Sequence, residues 1–433
     1  MEIKINGKRT INSKINIPPD KSISHRSIMI GSLASNKTIV NNFLASDDCI
    51  ATLECFQKLG VNIERNGNTL IIYGRDYNFD FPDDLLDCKN SGTTARLISG
   101  ILSTQKFSSI LDGDSSLRKR PMKRVTNLLE KMGSNFDFLE NDGYLPMKVI
   151  GGNLKGIEIE LEIPSAQVKS SILFASLKAN SKTKIIETIP SRNHTELMLQ
   201  SFGANIEVEE EYNKKIITVS PSNKLEGMEI NIPSDISSAA FFIVLALISE
   251  KSTVIVEDCI LNPTRTGIIE VLKDMNANIE INNVRKINNE LVGTIIAKSS
   301  NLKSTIVDKN KIPSLIDEVP ILAVAASFAD GTTIINGVNE LRYKESDRVK
   351  TTCEMLNNFG TEVYDDDDRL IIYGNKSNLH PAIVNSYKDH RIAMASSIMA
   401  SAIEGQSTIL DAEYVSISFP DFYKILFESS KEK

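Results

Sequence analysis

Six times along the chain, about every 70 residues, a short polar lead-in, often containing Pro, gives way to an apolar run that reads as helix. The runs are SISHRSIMIGSLAS from Ser22, TTARLISGILS from Thr93, QVKSSILFASL from Gln167, ISSAAFFIVLAL from Ile236, DEVPILAVAAS from Asp317 and DHRIAMASSIMAS from Asp389. Three lead-ins nearly repeat one another: Ile17-Pro18-Pro19-Asp20, Ile163-Pro164-Ser165 and Ile232-Pro233-Ser234-Asp235. A β-branched segment follows each run, as in TIVNNF, TKIIETI and GTTIINGV. Next come amphipathic stretches such as DDCIATLECFQKLG, RVTNLLEKMG, TELMLQSFG and DRVKTTCEMLNNFG. Their apolar residues fall at i, i+3, i+4 and i+7, and each ends on a Gly suited to a helix C-terminus. A hairpin closes the repeat; in VNIERNGNTLIIYG the turn is expected at Asn66-Gly67. The repeat therefore reads β-α-β-α-β-β, which predicts an α/β fold.

The sixth repeat is expected to end at its second helix, FPDFYKILFES, while the chain opens on an orphan hairpin, MEIKINGKRTINSKINI. The simplest solution is circular, with the N-terminal hairpin completing the last repeat. One domain then spans 20–232. The other combines 1–19 with 233–433, and the crossings near Pro18-Pro19 and Pro233 are stiffened by proline. Two domains of this kind can close over a substrate and exclude water. A plain solenoid fits less well, because its repeats are shorter and a double crossing has no role in it.

Composition narrows the reading. The chain has 433 residues, 41% apolar and 24% charged, which suits a globular protein with large cores. Its net charge of −7 and its lack of Trp argue against a general nucleic-acid or membrane-surface binder. The longest apolar run, Ala239 to Ile248, is too short to span a bilayer, and the N-terminus lacks a signal core. A cytoplasmic location follows as the expectation. The five cysteines (Cys49, Cys55, Cys88, Cys259 and Cys353) form no CxxC and no metal spacing, so they are expected to be reduced packing residues.

Against this acidic background, basic residues recur where the repeats begin. Lys21, Ser22 and Arg26 surround the first helix start, and the turn Asn90-Ser91-Gly92 opens the second, offering backbone N–H groups to an anion. Arg118, Lys119 and Arg120 precede Pro121, which fits the first position of a helix and would place Arg120 at its start. Ser165, Ala166, Gln167 and Lys169 lie at the third apolar run, and Ser191, Arg192 and His194 lie ahead of that repeat's second helix. Lys344, Glu345 and Arg348 fall within five residues, and Lys388, His390 and Arg391 lie at the start of the sixth apolar run. One such residue is usually a salt-bridged surface group, and a Ser or Thr there is usually a cap. Their recurrence points instead to substrates carrying phosphate and carboxylate. Asp317 and Glu345 are the acid–base candidates, although Asp317 also fits a simple N-cap. No Walker loop, dinucleotide fingerprint, nucleophile elbow or histidine metal spacing is present. The residues alone thus read as a two-domain, metal-free enzyme acting on anionic small molecules.

At these motifs the chain closely resembles the 5-enolpyruvylshikimate-3-phosphate synthase family, from about Lys21 to Pro420. The pieces are DKSISHR, NSGTTARL, GDSSLRKRPM, SAQVKSS, SRNHTE, DEVPILAVAA, LRYKESDR and KDHRIAM, in order. The resemblance implies a two-domain inside-out α/β barrel with three repeats per domain. It also implies transfer of an enolpyruvyl group from phosphoenolpyruvate to the 5-hydroxyl of shikimate 3-phosphate, by a monomer without cofactor. Carried over by motif, Lys21, Ser22, Arg26, Ser165, Ala166, Gln167, Ser191, Asp317 and Lys344 would hold shikimate 3-phosphate. Lys21, Gly92, Arg120, Gln167, Arg348 and Arg391 would hold phosphoenolpyruvate. Asp317 would take the hydroxyl proton, and Glu345 with Lys344 would serve the methylene carbon. The chain departs from many members at Val415–Pro420, where no Lys precedes Phe419-Pro420. Such enzymes are glyphosate targets, and Gly92 leaves room beside the phosphoenolpyruvate site. The sister transferase acting on UDP-N-acetylglucosamine is disfavoured, since 112–121 lacks its cysteine. A non-catalytic phosphosugar binder and an RNA 3′-phosphate cyclase-like protein rank lower.

Overall fold

The computed structural model describes residues 1–221 and 224–432. The chain divides into two compact units: a first comprising Met1–Pro18, Pro233–Lys286 and Leu291–Lys433, and a second comprising Pro19–Ile232 with Ile287–Glu290. The second unit carries α1 (Lys21–Leu33), α2 (Asp47–Lys58), α3 (Gly92–Leu102), α4 (Lys123–Met132), α5 (Ala166–Ser176) and α6 (His194–Ser201). The first carries α7 (Ile236–Ile248), α8 (Gly267–Asp274), α9 (Val319–Ser327), α10 (Arg348–Asn358), α11 (His390–Ala402) and α12 (Phe422–Ser429).

In the second unit each repeat contributes one four-stranded sheet. The strand orders are Glu229–Asn231, Lys37–Asn41, Thr69–Tyr73, Asn62–Asn66, then Leu86–Asp87, Ser108–Asp112, Met147–Ile150, Asn135–Phe138, and Glu158–Leu161, Thr183–Glu187, Lys214–Val219, Ile206–Glu211. In all three the first pair is parallel and the rest is antiparallel, and in the second and third repeats a helix bridges the parallel pair. The first repeat takes its opening strand, Glu229–Asn231, from the end of the unit, so the unit closes on itself.

The first unit closes by another route than the expected N-terminal hairpin. Glu2–Asn6 pairs antiparallel with Gln406–Leu410 of the sixth repeat, whereas Arg9–Lys14 pairs parallel with Thr253–Ile260 of the fourth. The two segments lie in different sheets. The sixth repeat also continues past its second helix, since Ser430–Glu432 pairs with Arg9–Ile11. A segment at the seam satisfies two sheet edges this way, where a hairpin would satisfy one.

The six helices that open the repeats are buried on nearly every side. In the first unit α7 packs on α9 and α11, and Phe241 and Phe242 join Phe419 and Phe422 in an aromatic cluster of edge-to-face and tilted pairs with centroids 5.8–6.0 Å apart. In the second unit α3 packs on α5, and a Cβ at Gly100 would lie 2.0 Å from the Ser171 carbonyl oxygen, so glycine permits that approach. Serines on these helices return their hydroxyls to carbonyls one turn back, as Ser99 does to Ala95 and Ser397 to Ala393. A buried helix can thereby satisfy small polar residues, although the Ser171 hydroxyl on α5 has no hydrogen-bond partner among the described residues.

The peripheral helices end as their sequences predict. Gly60, Gly133, Gly203 and Gly360 all adopt φ between +81° and +112° at or just after the helix end. The first hairpin turns one residue later than expected: Asn66 pairs with Thr69, so Gly67-Asn68 forms the turn, with φ +59° at Gly67. Of the acidic run at 365–368, Asp367-Asp368 form the hairpin turn, while Asp365 and Asp366 end the strand before it and Asp365 binds Arg342.

Candidate active site

Helix starts in the second unit gather most of the predicted binding residues. Asp20 caps α1 through Ile23 N–H, making Lys21 and Ser22 the first helical residues. Lys21 Nζ lies 2.5 Å from Asp48 of α2. Arg26 is 3% exposed and each guanidinium nitrogen has a partner: Nε donates to Thr195 Oγ1 at 2.6 Å, one terminal nitrogen to Ser170 Oγ at 2.9 Å, the other to the Ser22 carbonyl at 3.0 Å. His25 beside them is buried. Burial, then the charges of Lys21 and Arg26, holds its pKa well below the usual histidine value, so the ring is neutral at neutral pH.

Ser91 caps α3, and Gly92 is its first residue. A Cβ at Gly92 would come within 3.1 Å of an Arg96 terminal nitrogen and 3.4 Å of one on Arg120, so the glycine stands against two guanidinium groups. Arg120 donates to the Asn90 carbonyl, the Asn90 side chain and Ser116. It does not start a helix: α4 begins at Lys123, two residues beyond Pro121, and Arg120 instead ends the short turn Leu117–Lys119. Ser165 caps α5, with Ala166 and Gln167 as its first residues. Gln167 accepts from Arg96 at 2.6 Å and donates to Thr93 at 3.0 Å, joining the starts of α3 and α5.

Ser191 is 2% exposed and donates its hydroxyl to Glu187. Glu187 lies 2.9 Å from the fully buried Lys169 ammonium, which also donates to the Ser191 carbonyl. Glu196 stands 2.7 Å from the same nitrogen, as a charge contact without hydrogen-bond geometry.

The first unit holds the acid–base candidates. Asp317 lies in a 3-10 turn, Ile316–Glu318, and α9 starts only at Val319, so Asp317 is not the helix cap. Its Oδ1 lies 3.3 Å from Lys344 Nζ and 3.2 Å from an Arg348 terminal nitrogen. Arg348 is 1% exposed and also contacts Glu345 at 2.5 Å and Asp389 at 2.8 Å. Burial opposes its charge, but Asp389, Glu345 and Asp317 outweigh that, and its pKa rises above the ordinary arginine value. Asp389 caps α11 and accepts from the Arg391 N–H and from Ser346. Arg391 donates to the Ser237 carbonyl and lies 5.8 Å from the Phe241 ring centroid.

Sequence reasoning missed the carboxylates that hold these cations. Asp48, Glu187 and Asp389 are each at most 5% exposed, as are Asp235, which accepts directly from Arg265, and Glu318, which is joined to Arg265 through the Ser237 hydroxyl. Asp235 and Asp389 were findable, since one directly precedes an apolar run and the other opens one. Among the described residues no group of three or more His, Cys, Asp or Glu could hold a metal ion, and no helix is long and apolar enough to cross a membrane.

This architecture is that of a known transferase class. The solved enolpyruvyl transferase NikO from Streptomyces tendae superposes with a TM-score of 0.78 over 99% of this chain and 97% of its own, at 14% identity, a likeness of fold. The chain belongs to the EPSP synthase (3-phosphoshikimate 1-carboxyvinyltransferase) family, whose model matches residues 5–426. It is 61% identical to a 3-phosphoshikimate 1-carboxyvinyltransferase of Caldicellulosiruptor saccharolyticus over the full length of both, and 46% identical to one from Thermoanaerobacter sp. strain X514 over 98% of this chain and 99% of the other. The structure of EPSP synthase from Acinetobacter baumannii is 40% identical, with a TM-score of 0.86 over 99% and 98% of the two chains.

Proposed function

We propose that this chain carries out its family's reaction through two sets of residues. The enolpyruvyl group of phosphoenolpyruvate passes to the 5-hydroxyl of shikimate 3-phosphate, giving 5-enolpyruvylshikimate 3-phosphate and phosphate. In the domain of 20–232, Lys21, Ser22, Arg26, Ser165, Ala166, Gln167 and Ser191 hold shikimate 3-phosphate, while Lys21, Gly92, Arg120 and Gln167 serve phosphoenolpyruvate. In the domain of 1–19 plus 233–433, Arg348 and Arg391 serve phosphoenolpyruvate, and Asp317 and Lys344 meet the shikimate substrate.

The route is addition followed by elimination, with neither cofactor nor covalent enzyme adduct. Asp317 takes the 5-hydroxyl proton as that oxygen attacks C2 of phosphoenolpyruvate, and Glu345 with Lys344 delivers a proton to C3. Loss of a C3 proton from the tetrahedral intermediate then expels phosphate. Arginine and lysine neutralise the phosphates and carboxylates and fix their geometry. The observation that carries this reading is Asp317, a carboxylate with no capping duty beside Lys344 and Arg348. We place the enzyme in the cytoplasm as a monomer. Phosphate release from phosphoenolpyruvate tests the reaction: it is expected only with shikimate 3-phosphate present. Equal release with UDP-N-acetylglucosamine would overturn it.

A further inference from the structure

The buried histidine of the first helix has no part in the chemistry above, yet it opens an ordered chain of side-chain hydrogen bonds. His25 Nδ1 lies 2.7 Å from Thr52 Oγ1 on α2, and Thr52 Oγ1 lies 2.6 Å from Thr94 Oγ1 on α3. Thr94 Oγ1 donates to Ser91 Oγ at 2.7 Å, and Ser91 Oγ also accepts the Thr94 N–H at 3.1 Å as the cap of α3. All four residues are at most 1% exposed.

Counting protons sets the direction of the chain. A hydroxyl has one proton to donate. The Thr94 proton goes to Ser91, so Thr94 accepts from Thr52. The Thr52 proton is then spent, so Thr52 accepts from His25, and the imidazole must carry hydrogen on Nδ1. The competing acceptor for Thr52, the Asp48 carbonyl, stands at 3.4 Å. The other ring nitrogen, Nε2, is buried and has no hydrogen-bond partner among the described residues. A bare Nε2 leaves no donor unsatisfied there, which agrees with the Nδ1–H tautomer.

We propose that His25 is a positioning residue: its Nδ1–H, acting through Thr52 and Thr94, fixes the hydroxyl of Ser91 and with it the N-terminus of α3 at Gly92. Lys21 and His25 are one turn apart on α1, as Asp48 and Thr52 are on α2, so the Lys21–Asp48 and His25–Thr52 contacts form two successive rungs between these helices. The chain thus links the helix bearing Lys21 and Arg26 to the helix start assigned to phosphoenolpyruvate, and the expected substrate preference rests on that assignment.

The test is a set of three variants with a spectroscopic measurement. His25→Asn keeps an N–H donor on an atom bonded to Cγ, as Nδ1 is, and is expected to stay within about twofold of the parent in both KM values. His25→Leu removes the donor and is expected to raise the KM for phosphoenolpyruvate about tenfold with little change in kcat, one lost hydrogen bond being worth about 1.4 kcal/mol or a factor of ten. Thr52→Val cuts the chain from α2 and is expected to match His25→Leu, so a folding failure of one variant leaves the other to decide. Nitrogen NMR of the unmodified protein should show His25 with hydrogen on Nδ1 and Nε2 bare. Equal effects of His25→Asn and His25→Leu, or hydrogen on Nε2, overturn the proposal. An Asn–Leu contrast that falls on shikimate 3-phosphate supports the chain and overturns instead the assignment of Gly92.

Discussion

Replacing Asp317 separates proton transfer from scaffolding. Its carboxylate is 19% exposed and takes Lys344 at 3.3 Å and Arg348 at 3.2 Å on one oxygen. Five charged groups meet there: Asp317, Glu345 and Asp389 against Lys344 and Arg348. Asp317→Asn removes one negative charge, so three against two becomes two against two, and it retains a side-chain oxygen for both cations. Arg348 stays anchored by Glu345 and Asp389. Unfolding free energy should therefore move by less than about 1 kcal/mol. The proton acceptor is gone, however, and a positioned base contributes about 10²–10⁴ in rate, or about 3–5 kcal/mol of barrier. The expected outcome is a kcat lower by that factor, a KM for shikimate 3-phosphate within about threefold, and an unchanged denaturant midpoint. Asp317→Ala should lose as much turnover. Steady-state phosphate release with a urea titration reads all three quantities. A soluble, folded Asn variant keeping more than about a tenth of the parent turnover would refute the assignment of Asp317 as base.

Lys169→Met leaves Glu187 and Glu196 buried without their ammonium and should cost about 3–5 kcal/mol, read as a lower urea midpoint; a loss under about 1 kcal/mol would refute the ion network. The thiols should resist modification: burial pushes Cys49 up to about 12 and Cys353 up to about 11, so near pH 8 only about one Cys353 in a thousand is thiolate. Disulfide-exchange labelling of the native enzyme should be slow and should speed up as pH rises, while denaturant should release all five cysteines at once. Rapid native labelling at pH 8 would contradict the packing.

Local signals and pair signals differ in how well the chain displays them. The six apolar runs and the four terminal glycines were legible because each is encoded within a dozen residues, by periodicity or by a backbone that needs φ > 0. The split of the N-terminal segment was not legible, since Glu2 pairs with Leu410 and Arg9 with Glu432, and strand patterns carry no address. Among site residues, cations at helix starts stood out against an acidic chain, whereas Asp48 and Glu187 look like ordinary surface acids until burial is known. Asp317 shows the limit most plainly. Its spacing fitted a cap, and only the extra 3-10 turn freed the carboxylate for Lys344. Cys49, Cys55, Cys88, Cys259 and Cys353 form no disulfide.

The seam in the first unit has a consequence for synthesis on the ribosome. Glu2–Asn6 finds its partner only in Gln406–Leu410, far along the chain, whereas Arg9–Lys14 is served earlier by 253–255 and later by Ser430–Glu432. The second unit draws only on 19–232 and 287–290 and has every segment it needs once residue 290 has emerged. Vectorial folding thus favours completing the second unit while Glu2–Asn6 is still without its partner strand. Lys4 and, just beyond it, Lys8 put positive charge on and beside that waiting strand, which discourages it from pairing with the same segment of another nascent chain.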